Sequence, residues 1–258
     1  MRTLHTGKLA SNSAGLFELL HPRSADLVIR AASMTTAGGN VEWGRRTLFG
    51  EGSSLAEFDT EAAEAPPGSG GLLYMPHLQG ERSPFMDPSA RAGFLNISAS
   101  TTRKHMARAL LEGVALGYRT LADSLGLLPG TVGSGRSPVL PLVGGGANSP
   151  LWTQILADVM GCTIVPLPDT DAVAARGCAA PAIEWLGLWG ENGCPPEGFF
   201  PLSPSEDQAG VKAAVAPDPS TEDLYNQHYK VFKELYPAFS KTGVYGLTAT
   251  RQPPSCTQ

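Results

Sequence analysis

Apolar and small residues recur over 102–125 at Met106, Leu110, Val114, Gly117, Leu121 and Leu125. Steps of three and four place them on one stripe, which predicts an amphipathic helix with one buried face. A second pattern surrounds a glycine run. Val139, Leu140, Leu142 and Val143 form a short β-favouring run that predicts a buried strand. Gly144, Gly145 and Gly146 follow, and then Leu151, Trp152, Ile155, Leu156, Val159 and Met160 return to helical spacing. Ser149 is placed to cap that helix, Pro150 suits its first position and Gly161 its stop. The unit is strand, glycine turn, helix.

The same reading predicts a helix after Gly38 and Gly39 that carries Val41, Trp43 and Leu48. It predicts an exposed acidic helix within 51–65, short strands over 72–75 and 163–167, and a small-residue helix over 172–188, interrupted or started by Pro181. Ser220, with Asp223 three residues on, predicts the cap of a final helix with Leu224, His228, Phe232 and Leu235 along one face. Segments 66–71, 77–94, 129–138 and 190–206 read as loops, and residues 1–30 as irregular. Trp43, Trp152, Trp185 and Trp189 are expected in the core. Strands alternating with helices predict an α/β architecture.

The chain has 258 residues, ample for a core, with 42% hydrophobic and 17% charged residues, which excludes a disordered chain. A net charge of −5 and no Lys/Arg cluster make nucleic acid and anionic membranes poor partners. No apolar stretch approaches the roughly 20 residues of a membrane span, and the first 20 residues lack a continuous apolar signal-peptide core. Cys162, Cys178, Cys194 and Cys256 are scattered without a C-x-x-C. They read as reduced thiols in a cytoplasmic protein, and not as a zinc site or a disulfide frame.

A glycine turn before a helix aims bare backbone N–H groups and the positive helix end at one spot, which suits a phosphate. The run here lacks the Lys-Ser/Thr of a P-loop and the G-x-G-x-x-G of a dinucleotide site, which counts against a Rossmann oxidoreductase. Its local pattern leaves two readings open: a tight turn in any α/β protein, or a nucleotide cradle.

Four segments taken together resemble the C-terminal half of the FGGY carbohydrate kinases, xylulokinase-like members above all. GLLYMPHLQGERSPFMDPSARAGF (71–94) looks like that family's proline-flanked GER loop. HMARALLEG (105–113) matches the helix of its second signature. GGGANSPLWTQILAD (144–158) is similar to its adenosine motif, and PDPSTEDLYNQHYKVFKELYPAF (217–239) to its terminal tyrosine-rich helix. The order agrees over roughly residues 30–240.

The resemblance implies an actin-like ATPase (ribonuclease H-like) domain, the C-terminal half of a sugar kinase, over 31–240. Residues 1–30 would then be a remnant of the domain start and 241–258 a disordered tail. It implies ATP and Mg²⁺ as cofactors. Gly145 and Gly146 would let the nucleotide lie against bare backbone, Asn148 and Ser149 would sit at the base or ribose, and Gly38 and Glu42 would face the nucleotide from AGGNVEW (37–43). A carboxylate at Glu42 would repel phosphates, and some relatives carry glutamine there. Asn96 stands where the signature carries glycine, and asparagine also tolerates positive φ. The family's Gly-Thr-Ser phosphate loop is not visible; SNSAG (11–15) is the nearest segment.

The family's Asp-x-Gly-Thr motif and general-base aspartate belong to an N-terminal domain, and no Asp-x-Gly-Ser/Thr occurs here. Sugar binding would therefore need that domain, and the chain alone is expected to be inactive: a truncated product, one half of a split kinase, or a non-catalytic nucleotide-binding or interaction module. An uncovered domain-facing side predicts an exposed apolar patch, with self-association or a complementing kinase half as partner. His77 is expected to pack or hydrogen-bond within its loop, Glu81 and Arg82 to fix that loop as a pair, and His105 and Glu112 to serve packing.

Overall fold

Three antiparallel strands open the chain where the sequence pattern predicts irregular structure. In the computed structural model, which describes residues 2–6, 15–21, 24–128, 138–167, 173–188 and 213–248, β1 (Arg2–Thr6), β2 (Phe17–His21) and β3 (Ser24–Ala31) form a sheet of order β1-β3-β2. Glu18 and Arg30 face each other across β2 and β3 and pair at 2.6 Å. The pattern missed these strands because their apolar positions are not confined to alternate residues. Val28 is buried, while Leu19 and Leu20 are exposed on β2. The expected loops over 129–137 and 190–206, Trp189, Cys194, Cys256, most of SNSAG and the last ten residues lie outside the described residues.

α1 (Gly38–Phe49) and α2 (Leu55–Ala63) follow. Ser54 and Glu57 form a reciprocal capping box at the start of α2. That helix is exposed on its outer side, as expected, but Phe58 and Ala62 are fully buried. After a tight turn at Pro67–Gly71, β4 (Leu73–Met75) pairs antiparallel with β5 (Gly93–Leu95), a strand too short for its pattern to show. Asn96 adopts φ +66, the left-handed conformation expected at the place of the signature glycine, and its side-chain amide donates to the Gly71 carbonyl at 3.0 Å.

α3 (Arg103–Ser124) is the central element, packed against α1, α2, α4 (Pro150–Met160), α6 (Glu222–Thr242) and β4. The sequence predicts one buried stripe. The structure instead buries every residue from Ala107 to Gly117, because neighbours close on the helix from several sides. Gly113 is the closest contact: a Cβ there would lie 2.2 Å from the Tyr74 carbonyl oxygen. That oxygen belongs to a buried strand and cannot swing away. Gly113→Ala is expected to cost about 1–3 kcal/mol, lowering Tm by about 2–4 °C for each kcal/mol. A melting curve matching the wild type would contradict this packing.

β6 (Val139–Leu142) runs parallel to β7 (Thr163–Pro166), with α4 as the crossover between them. The predicted buried strand is exposed: Val139 is 58% and Val143 47% accessible. β6 has one neighbour among the described residues, so its outer face stays uncovered. Gly161 ends α4 in the left-handed conformation, as expected. Cys162 and Cys178 are free thiols, and burial pushes Cys162 up to about 12.

α5 (Val173–Trp185) is one continuous helix with Pro181 inside it, neither started nor interrupted there. Trp185 is 85% exposed, against the expectation of a core residue, because no described element packs over that end of α5; Trp152 is buried and Trp43 half-buried. At the last helix the cap differs from the prediction. Asp218, and not Ser220, accepts the Ser220 N–H at 2.9 Å, and it caps a short turn at Pro219–Thr221 that leads into α6. Tyr225, Tyr229 and Phe232 are the buried face of α6. Val244–Thr248, within the expected tail, form a short 3-10 turn in which Tyr245 is buried against Met75 and Ala90.

Candidate functional site

Gly38, Glu42, Gly145, Gly146, Asn148 and Ser149, drawn from two distant parts of the sequence, all line one cleft of about 710 Å³. One wall is the turn after β6. Gly144 turns the chain at φ +92, Gly145–Asn148 form a single 3-10 turn, and Ser149 Oγ accepts the Trp152 N–H at 3.0 Å. Pro150 then opens α4 at its first position.

The other wall is the start of α1. The buried Asn40 side chain donates to the Thr36 carbonyl at 2.8 Å and to the Pro76 carbonyl at 3.1 Å, and its Oδ1 accepts the Tyr74 hydroxyl at 2.8 Å. These bonds fix the first turn of α1 against β4. Asn40 was legible only as part of a segment; its anchoring role needs partners 34 and 36 residues away.

The glycines of the cleft divide by cause. Gly146 is packed closely from within, since a Cβ would sit 3.0 Å from Trp152 Cζ3 and the indole would have to give way. Gly145 and Gly38 are not: neither has a positive φ, and a Cβ at either would meet no protein atom within 4 Å. Their missing side chains leave open space in the cleft.

Glu42 is exposed and already matched. Arg45 donates to it through Nε at 2.9 Å and Nη2 at 2.6 Å, with Arg46 at 3.7 Å. The Arg45 hydrogen bonds hold its carboxyl below the usual range. The repulsion expected of a bare carboxylate is thus offset by the neighbouring arginines.

The sequence reading missed Asp59, Leu55 and Ala56 on α2, and Tyr118 on α3, all of which line the cleft. Partial burial pushes the Asp59 carboxyl above its ordinary range, against a lowering hydrogen bond with Ser149. Nothing in the acidic run 51–65 distinguishes Asp59 from its neighbours; only the packing of α2 brings it here. Among the described residues no group of three or more His, Cys, Asp or Glu could hold a metal ion.

The GER loop is fixed differently from the expectation. Glu81 does not pair with the Arg82 guanidinium, which faces solvent. Its Oε2 meets His77 Nδ1 at 3.0 Å, and its Oε1 accepts the backbone N–H groups of Thr35 at 2.9 Å and Arg82 at 2.8 Å. A buried carboxylate needs such donors, and an exposed arginine side chain cannot supply them. His77 is buried and hydrogen-bonded within its loop, as expected. His105 accepts the Thr102 N–H at the start of α3 at 3.1 Å.

Residues 22–183, more than half of the chain, match the model of the C-terminal domain of the FGGY family of carbohydrate kinases. The chain belongs to that family. It is 32% identical over 203 residues to the xylulose kinase of Lactococcus lactis, which covers 78% of this chain and 37% of that protein. It is 34% identical over 170 residues to the glycerol kinase of Thermus brockianus, over 62% of this chain and 32% of that one. The crystal structure of the xylulose kinase from Rhodospirillum rubrum superposes with a TM-score of 0.69 at 27% identity, covering 93% of this chain and 46% of the other. The fold is that of the actin-like ATPase domain of these sugar kinases. The FGGY chain described here spans less than half the length of each of these relatives. Among the described residues no helix is long and apolar enough to cross a membrane.

Proposed function

We propose that this chain supplies the ATP-binding half of the active-site cleft of an FGGY carbohydrate kinase, which transfers the terminal phosphoryl group of ATP to a hydroxyl of a pentulose such as xylulose. The observation that carries this reading is the pair of glycines, Gly38 and Gly145, that line the same cleft with no packing reason to be glycine. A ligand lying against bare backbone gives them one. In this reading Gly145 and Gly146 receive the nucleotide, Asn148 and Ser149 hold its base or ribose, and Gly38 and Glu42 border it from α1. Leu55, Tyr118 and Trp152 supply apolar surface for a ring system. Mg²⁺ supplies charge neutralisation on the phosphates. The kinase is expected to work in the cytoplasm.

The sugar and the general base come from the N-terminal domain of the family. A positioned base contributes roughly 10²–10⁴-fold, and holding both reactants in line about 7–11 kcal/mol of barrier. Half a cleft forfeits most of both. The exposed Leu19 and Leu20 of β2, Val139, Val143 and Trp185 support a complementing domain or a second copy as partner.

A coupled ADP-release assay with a panel of pentuloses and polyols tests the division of labour. The purified 258-residue chain is expected to stay at background with every sugar. Sustained turnover by that chain would overturn the assignment of base and sugar to the other domain.

A further inference from the structure

A cavity of about 230 Å³ shares no lining residue with the cleft. Met34, Met75, Phe85, Phe232 and Tyr236 make its walls mostly apolar. His77, Glu81, Ser83, Thr120 and Lys233 interrupt them. His77 is only 5% exposed, and its Nδ1 meets the buried Glu81 Oε2 at 3.0 Å. A carboxylate oxygen can only accept there, so Nδ1 carries a proton and Nε2 is the ring nitrogen left over for a ligand. No described residue hydrogen-bonds Nε2. Unlike Nδ1 of His228, it is not sealed inside the protein.

The other polar groups around the cavity are already engaged. Both Glu81 oxygens accept hydrogen bonds, Ser83 Oγ donates to the Gly15 carbonyl, Thr120 to the Leu116 carbonyl, and the Tyr236 hydroxyl to Asp87. Lys233 lies at the rim, its ammonium over the Tyr229 ring. The His77 ring is held edge-on to Phe85 and Tyr236, which stack on each other at 8°. The ring is fixed in direction before any ligand arrives.

We propose that this cavity is a second binding site, for a small neutral molecule with an apolar body and a single hydroxyl group that hydrogen-bonds to His77 Nε2. A sugar is the wrong class, because its further hydroxyls would face hydrocarbon and sulfur without partners. An anion is the wrong class as well, since the buried Glu81 carboxylate stands directly behind the ring. A dry cavity of about 150 Å³ is enough to hold benzene, so this volume admits one substituted ring.

Phenol and toluene test the proposal as a matched pair, one with the hydroxyl and one without. In the full chain labelled with ¹⁵N-histidine, phenol is expected to bind saturably, to move the His77 Nε2 resonance, and to bind about fivefold tighter than toluene. His77→Phe is expected to abolish that preference while leaving toluene binding in place. If this variant fails to fold, the wild-type resonance and the phenol–toluene ratio decide the matter alone. Equal affinities with an unmoved Nε2 resonance, no binding of either probe at millimolar concentration, or displacement of phenol by Mg·ATP would each overturn the proposal. The last outcome would place phenol in the other cleft.

Discussion

Replacing Glu112 with alanine is expected to cost about 3–5 kcal/mol of folding stability, the range for removing one partner of a buried ion pair. Glu112 is 2% exposed and its carboxylate is saturated. Oε1 accepts from Arg108 Nε at 2.8 Å, the Gly68 N–H at 2.9 Å and the Tyr225 hydroxyl at 2.8 Å; Oε2 accepts from Ser69 Oγ at 2.7 Å. One carboxylate thus ties α3 to α6 and to the turn Pro67–Gly71. That turn contains Ser69 at φ +52, a conformation costly for a residue with a Cβ and held here by the Glu112 bond. Alanine would leave the Arg108 guanidinium, 7% exposed, facing a void with no counter-charge. Burial and the Glu112 charge push the Tyr225 phenol well above its usual range, so it remains a proton donor throughout the accessible pH range. Thermal and urea unfolding would show the loss, about 6–20 °C in Tm at 2–4 °C per kcal/mol. Glu112→Gln keeps the shape and one acceptor oxygen and should lose less. A cost below about 1 kcal/mol for alanine would mean that the hub is not built as described.

Gly145→Val is expected to separate stability from ligand affinity. The Gly145 backbone is not left-handed and a Cβ there meets nothing, so the substitution should leave stability within about 0.5 kcal/mol. Gly145→Ala could even gain about 0.4–1 kcal/mol by restricting the unfolded chain. In the proposed reading, the same branched side chain would fill the space that the nucleotide occupies. A loss of about a hundredfold in ATP affinity, roughly 2.8 kcal/mol, is expected. Gly113→Ala is the converse control: strained packing, with no atom in the cleft. A stable Gly145→Val chain that keeps its affinity would remove the steric reading of this turn.

The parts of the fold legible in the sequence were those governed by local rules. Thr102 to Leu125 bounds α3 to within a residue, and Ser149, Pro150 and Gly161 mark α4 at both ends, because caps and stops act through neighbouring backbone groups. The parts that failed depend on what lies across the chain. Burial of Val139, Val143 and Trp185 cannot be read from their own hydrophobicity, since exposure is set by whether another element covers them. Tyr245 is the reverse case: an isolated aromatic in a polar tail, buried because α6 carries it back to Met75 and Ala90. At the site, glycine and cap positions were visible as motifs. Asp59 and Asn40 were not, because a carboxylate in an acidic helix and an amide after two glycines acquire their roles only through packing.

The most direct measurement is a calorimetric titration of the wild-type chain and Gly145→Val with millimolar Mg·ATP, after equal melting temperatures have been verified. The account predicts a saturable heat for the wild type and none, or one shifted about a hundredfold, for the variant. No heat from the wild type, or indistinguishable isotherms from the two chains, would contradict it.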